Sequence, residues 1–246
     1  MESTGPSNTT FKCVEDLSSP VNTASREPGH KFLALRQEAV SVLPTAAEMR
    51  LRLEGSRTGQ IDQEKIQAAV RLILEAIGEN PDREGLIETP DRVARMWAEL
   101  AVGQSLDPAD QISCEFFEET SGLVIVKDIS FSSTCEHHLL PFSGRAHIAY
   151  LPREGRITGL SKLARVVEIA AKRLQVQERL TAQVAQAMVD KLDPLGVLVM
   201  IEAEHSCMSL RGIKKAGSST ITVDSRGCYK ENDHLRAEIL NLLSRQ

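Results

Sequence analysis

From Asp62 onward, apolar residues recur at helical spacing. Ile66, Ala69, Val70, Ile73 and Ile77 share one face, and "GENP" stops the run. Asp62 is placed to cap this helix. A second helix is announced by "ETPDRVARMWAEL", with Thr89 as the expected N-cap, Pro90 at the first helical position, and Val93, Met96, Trp97 and Leu100 as the apolar stripe. "GLVIVKDISFSS" and "GRAHIAYLP" read as two strands. Two helices follow, "LSKLARVVEIAAKRL" with Leu163, Val166, Val167 and Ala170 inward, and "QERLTAQVAQAMVDKL" with Leu180, Val184, Ala187 and Met188 inward. "GVLVMIEAEHSCM" is a third strong strand, "SSTITVDS" a weaker fourth, and "NDHLRAEILNLLS" a closing helix. Strands grouped as hairpins around a helix pair predict an α+β fold with an antiparallel sheet, not a doubly wound one.

The first stretch of the chain breaks this pattern. Residues 1–30 are rich in Ser, Thr, Pro and Asn and read as a disordered arm. Within 31–60, "FLALRQEAV" and "AAEMRLRLEG" suggest short helices without visible chemistry. The expected organisation is an N-terminal extension over 1–60 and a compact domain over 61–246. "MESTGPSNTTFKCVEDLSSP" has neither the basic nor the apolar region of a secretory signal, and no apolar run approaches the ~20 residues of a membrane span. A net charge of −5 argues against broad binding to a nucleic-acid backbone, though not against a small basic pocket. The 5 cysteines are odd in number and widely spread, so they predict a reducing cytoplasm and no disulfide framework.

The chemistry collects in two places. "SSTCEHHLLPF" sets Cys135, Glu136, His137 and His138 in a row, in the loop between the first two strands. Cys135 and His138 stand at a spacing that lets both converge on one ion. Zinc favours such thiolate and imidazole donors in a tetrahedral shell. A second cluster, His205 and Cys207 in "EAEHSCMSL", is expected on one face of the third strand. The candidates for one site are therefore Cys135, His137, His138, His205 and Cys207. Three ligands with two free histidines make a hydrolytic centre, whereas four ligands make a closed structural site. Cys13, Cys114 and Cys228 lack such neighbours.

Cations and one carboxylate stand nearby. "GLSKLARVVE" puts Ser161 at an expected helix cap, with Lys162 and Arg165 in the first turns, where a phosphate can bind. Arg211 follows Cys207 closely. Gln177 and Glu178 open another helix, where Glu178 either complements the helix dipole or accepts N–H groups from a guanine edge. Arg92, in the first turn of its helix, is unfavourable to the dipole unless an anion is near.

With "ETPDRVARM", "STCEHH", "GLSKLAR", "VQERLT" and "EHSCMSLRG" in this order, the chain from about Ile61 to its C-terminus resembles GTP cyclohydrolase I. The resemblance implies the tunnelling fold, an antiparallel sheet backed by two long antiparallel helices, assembled as a homodecamer with active sites between subunits. It implies one Zn2+ per subunit held by Cys135, His138 and Cys207, with His137, His205 and Ser161 in catalysis. It matches Arg92, Lys162, Arg165 and Arg211 to the triphosphate and ribose of GTP, with Arg95 as a further candidate, and Gln177 and Glu178 to the guanine region. Glu136 is expected to support the loop.

The implied reaction takes GTP to 7,8-dihydroneopterin triphosphate and formate, the first step of pterin and tetrahydrofolate synthesis, beginning with attack of hydroxide at guanine C8. Ser206 stands where the family commonly has an aromatic residue, and Met208, Ser209 and Leu210 also depart. Two other readings compete: a non-catalytic zinc protein, and a sister enzyme of the same fold acting on a pterin or a deazapurine. Retention of Lys162, Arg165 and Arg211 argues for a triphosphate.

Overall fold

A computed structural model describes residues 60–119 and 122–244. The expectations for the arm at 1–30 and for the short helices within 31–60 lie outside these residues. Helix α1 (Gln63–Ala76) begins as its sequence implies, with the Asp62 carboxylate accepting from the Lys65 N–H at 3.0 Å. Gly78, at φ 86°, takes the left-handed conformation that ends it. Helix α2 (Thr89–Leu100) packs against α1, but its cap is Glu88 and not Thr89. The reason is the preceding turn: Leu86 and Ile87 N–H groups both bond to the Arg83 carbonyl, and Thr89 N–H to that of Leu86. The chain is thus already wound at Glu88, and Pro90 falls second in the helix. No residue of α1 is buried, and Ile73 and Ile77 of its apolar stripe are 59% and 69% exposed.

The core is a five-stranded sheet in the order β5-β2-β3-β6-β7. In chain order the strands are β1 (Glu115–Phe117), β2 (Val124–Cys135), β3 (Pro141–Leu151), β4 (Arg156–Thr158), β5 (Leu174–Gln175), β6 (Gly196–His205) and β7 (Ser219–Gly227). β2, β3, β6 and β7 pair antiparallel, while the short β5 joins β2 in parallel. β1 and β4 form a separate ribbon. The predicted antiparallel α+β architecture is present; β1, β4 and β5 are too short for a hydrophobic period to reveal.

Alternation along β6 sorts its side chains onto two faces. Val197, Val199, Ile201 and Ala203 meet Leu163, Val166 and Val167 of α3 (Leu160–Ala171) and Leu180, Val184 and Met188 of α4 (Gln177–Leu192). Leu198 and Met200 turn the other way, onto Tyr229, Ile239 and Leu243 at the C-terminal end. Tyr229 belongs to the short α6 (Cys228–Glu231), Ile239 and Leu243 to α7 (Asp233–Ser244). Leu180, Leu192 and Leu198 are fully buried, each stabilising the fold by roughly 1.5–3 kcal/mol. The expected inward faces of α3 and α4 are the observed ones.

Two local expectations are corrected. Ser161 does not cap α3: Gly159 is the cap, because β4 ends at Thr158 and the chain must turn immediately, which leaves Ser161 inside the first turn. Cys207 is not on the strand with His205. β6 ends at His205, and Ser206–Ser209 winds into a single helical turn, α5, closed by Leu210 N–H on the Ser206 carbonyl at 2.9 Å.

Candidate metal centre and active site

The turn between β2 and β3 is tighter than the sequence suggests. Both strands run further than expected, so only Glu136–Leu140 lies between them. Leu139 adopts φ 54°, and the turn is closed by Leu139 N–H on the Cys135 carbonyl and Cys135 N–H on the Leu140 carbonyl, each at 2.9 Å. Glu136 ties this turn to the helix pair. Its backbone N–H donates to the Gln175 carbonyl at 3.0 Å, and its carboxylate accepts from the Arg179 guanidinium. Arg179 in turn donates to Gln175 Oε1 at 3.0 Å, and Gln175 Nε2 donates to the Ala170 carbonyl at 2.8 Å. The loop-supporting role expected of Glu136 thus has a partner, Arg179, that the sequence alone did not single out.

Within this frame Cys135, His138 and Cys207 offer one ligand atom each, all within 4.8 Å of one another. Bond lengths of ~2.3 Å to sulfur and ~2.0 Å to nitrogen would bring such donors to roughly 3.5–4 Å around a tetrahedral ion. Side-chain adjustment alone closes that difference, so the trio can hold a metal ion. Electrostatics agree. Burial pushes the Cys207 thiol up and adjacent Cys135 pushes it further, while a backbone N–H and Arg211 pull it back. Two adjoining sulfurs ionise together readily when a cation lies between them.

The remaining candidates divide into those gathered at the trio and those held apart. His137 is exposed, with Nδ1 4.0 Å from Cys135 Sγ and Nε2 3.9 Å from Glu136 Oε1. Arg211 reaches the trio directly: its guanidinium has only hydrogens to give, so it donates to His138 Nε2 at 2.9 Å. His205 stacks on Phe142, and its Nε2 meets Gln177 Oε1 at 2.8 Å. Burial lowers its pKa, with Glu178 opposing. Glu178 is exposed at the start of α4.

Ser161 and Arg165 are exposed on the first turns of α3, and Lys162 there donates to Ser113 Oγ at 2.7 Å. Arg92 and Arg95 are engaged within α2, with Glu88 at 2.5 Å and Asp91 at 2.9 Å. The side chain of Gln177 is buried, with its amide held by the Ile201 and Thr220 carbonyls on one side and by His205 on the other. Phe142 and Arg179 were missed by sequence reasoning. Phe142 stands inside the quoted loop motif, but nothing in a single sequence reveals that it pairs across the sheet with His205.

A family model for GTP cyclohydrolase I matches residues 66–244. The chain belongs to the GTP cyclohydrolase I family. GTP cyclohydrolase 1 of Streptococcus pyogenes serotype M18 (strain MGAS8232) is 57% identical over 193 residues, covering 78% of this chain and all of that protein. The enzyme of serotype M49 (strain NZ131) is 56% identical over the same length. Among solved structures, the archaeosine synthase QueF-like in its apo form is similar over 45% of this chain and 97% of its own, with 19% identity and a TM-score of 0.37. Membership accounts for the architecture: the antiparallel sheet backed by α3 and α4 is the tunnelling fold of GTP cyclohydrolase I. No helix among the described residues is long and apolar enough to cross a membrane.

Proposed function

We propose that this chain is a zinc-dependent GTP cyclohydrolase I, converting GTP to 7,8-dihydroneopterin triphosphate and formate, with its catalytic unit spanning residues 61–246. The observation that carries the reading is the convergence of Cys135, His138 and Cys207 from two separate elements, inside a family whose named relatives are GTP cyclohydrolases. These three residues would hold the zinc, which would supply the Lewis acidity that makes water a nucleophile near neutral pH. Among the described residues the trio has three members, and His205 is engaged by Gln177 instead of joining it. This favours a catalytic site over a closed structural one.

His137, exposed beside Cys135, is the proton donor to guanine N7, which makes C8 electrophilic. His205 and Ser161 serve the later proton transfers of ring opening and reclosure. Glu178 accepts N–H groups from the guanine edge. Lys162, Arg165 and Arg211 neutralise the triphosphate. The His138 Nε2 lone pair can serve the Arg211 guanidinium or a metal, not both, so a metal on that nitrogen frees Arg211 for an anion.

Among the described residues Arg92 pairs with Glu88, the cap of its own helix, and is assigned to the phosphate end of a site on a neighbouring subunit. The unburied apolar stripe of α1 supports assembly into an oligomer, for which we infer the decamer. Thiolate ligands suit a reducing cytoplasm. The test is to incubate metal-loaded protein with GTP and to measure formate together with a fluorescent pterin after oxidation. Both are expected in equal amounts, and no turnover by the intact oligomer contradicts the proposal.

A further inference from the structure

Gln177, the first residue of α4, is 2% exposed and uses both ends of its side-chain amide. Its Nε2 lies 3.0 Å from the Ile201 carbonyl, 2.9 Å from the Thr220 carbonyl and 3.1 Å from Thr222 Oγ1. Carbonyl oxygens can only accept, so the atom facing them is the NH2 group. The amide oxygen is therefore the atom 2.8 Å from His205 Nε2. Being an oxygen without hydrogen, it accepts, and His205 Nε2 carries the proton.

The hydroxyls agree with this direction. Thr181 Oγ1 donates its single hydrogen to the Gln177 backbone carbonyl at 2.8 Å, so at 2.6 Å it must accept from Thr222 Oγ1. That leaves a Thr222 lone pair for the Gln177 amide. The circuit starts and ends on Gln177, whose two amide hydrogens are shared among three acceptors. Amide orientations are ordinarily a choice of assignment; here a flipped amide would set its oxygen against the Ile201 and Thr220 carbonyls. Phe142 fixes the remaining freedom, since the ring of His205 lies 2° from parallel to it with centroids 4.6 Å apart.

We infer that Gln177 is a positioning residue that holds His205 in its Nε2–H tautomer, so that Nδ1 is the atom through which His205 acts on the substrate. This rests on the catalytic role proposed above for His205 and deepens it. It also gives Gln177 a task different from guanine recognition: it acts through His205, from the junction of α4 with β6 and β7. A shell residue of this kind sets ring orientation without touching the reacting atoms.

The test uses the full-length, zinc-loaded protein with 15N-labelled histidine, studied by solid-state NMR. The His205 resonances are identified by their loss in His205→Asn. A protonated Nε2 and a bare, pyridine-like Nδ1 are expected in the wild type, and a mixture of tautomers in Gln177→Met. In that variant kcat should fall about 10- to 100-fold with little change in KM for GTP. If Gln177→Met does not fold, Thr222→Val removes one acceptor of the amide without touching His205, and a smaller loss of kcat at unchanged KM is expected.

A wild-type His205 protonated at Nδ1 overturns the inference, as does a folded Gln177→Met enzyme with wild-type kcat or with a change in KM alone. Full activity in His205→Asn removes the proton role of His205, and this inference with it. Failure of the wild type to turn over GTP instead contradicts the proposed function, while the tautomer spectrum still decides whether Gln177 orients the ring.

Discussion

His205 and Phe142 are cross-strand partners on β6 and β3, with their rings stacked face to face at 4.6 Å. The last pair of this ladder thus delivers a polar, reactive ring onto an apolar platform that is itself 1% exposed. Phe142 also meets Phe131 edge-on at 6.0 Å, so the platform is braced from the core side. Replacing Phe142 by Leu is expected to cost about 1–2 kcal/mol of stability, combining lost ring contact with a small cavity. It should also lower kcat more than it raises KM, because the imidazole can then tilt. Denaturant unfolding and steady-state kinetics on the same preparation check both.

The Glu136–Arg179 pair makes the opposite prediction for stability. Both side chains are partly exposed, so Arg179→Ala should change the unfolding free energy by less than about 1 kcal/mol. Its effect should fall on the metal, since the turn carrying Cys135 and His138 loses its tie to α4. Metal affinity is expected to drop about 10- to 100-fold, read by competition with a chromogenic chelator. An unchanged affinity would show that the closed backbone turn at Leu139 suffices to hold the ligands.

His147 provides the pH dependence. It is buried, its Nδ1 accepts from the Asp128 N–H at 3.2 Å, and burial lowers its pKa despite the opposing carboxylates of Asp128 and Glu202. Lys127 and Arg145 lower it further. The unfolded chain therefore binds this proton more readily than the folded one, with a midpoint near the usual ~6.5. Stability from this group is full above that value and is lost as pH falls through it toward the lower folded value. Thermal unfolding between about pH 7.5 and about pH 5.5 should show a declining midpoint, and His147→Gln should flatten the slope.

Arg211 separates phosphate recognition from chemistry on the base. Arg211→Ala should raise KM for GTP about 10-fold or more, as expected for loss of a charge-assisted contact of about 1.5–3 kcal/mol. It should barely affect weak binding of guanosine, which has no phosphate. Equal losses for both, measured by calorimetric titration, would contradict the assignment.

How much of this could be read beforehand depended on the distance over which each pattern acts. The long helices and the strands of the sheet were legible because Leu163, Val166, Leu180 and Val184, or Val197 and Val199, repeat at the period of their element. The five candidates Cys135, His137, His138, His205 and Cys207 were legible because cysteine and histidine are rare and clustered, whereas the choice of three among them rests on the resemblance. Ser161 and Thr89 were misplaced by one or two residues as caps because the turn entering each helix, not the capping preference, fixed the start. The two-residue spacing of His205 and Cys207 predicts one strand face, but spacing cannot register that β6 stops at His205. The partners Arg179, Phe142 and Gln177 became visible only through tertiary contacts, which no local period encodes.

The central claim is that Cys135, His138 and Cys207 together hold one metal ion with a position left open. X-ray absorption at the zinc edge of the purified, zinc-loaded protein reads it directly. The account predicts one zinc per chain with two sulfur neighbours, one imidazole nitrogen and one further light atom, and loss of a sulfur in Cys207→Ser. A shell of four protein ligands, or a zinc without sulfur neighbours, would contradict it.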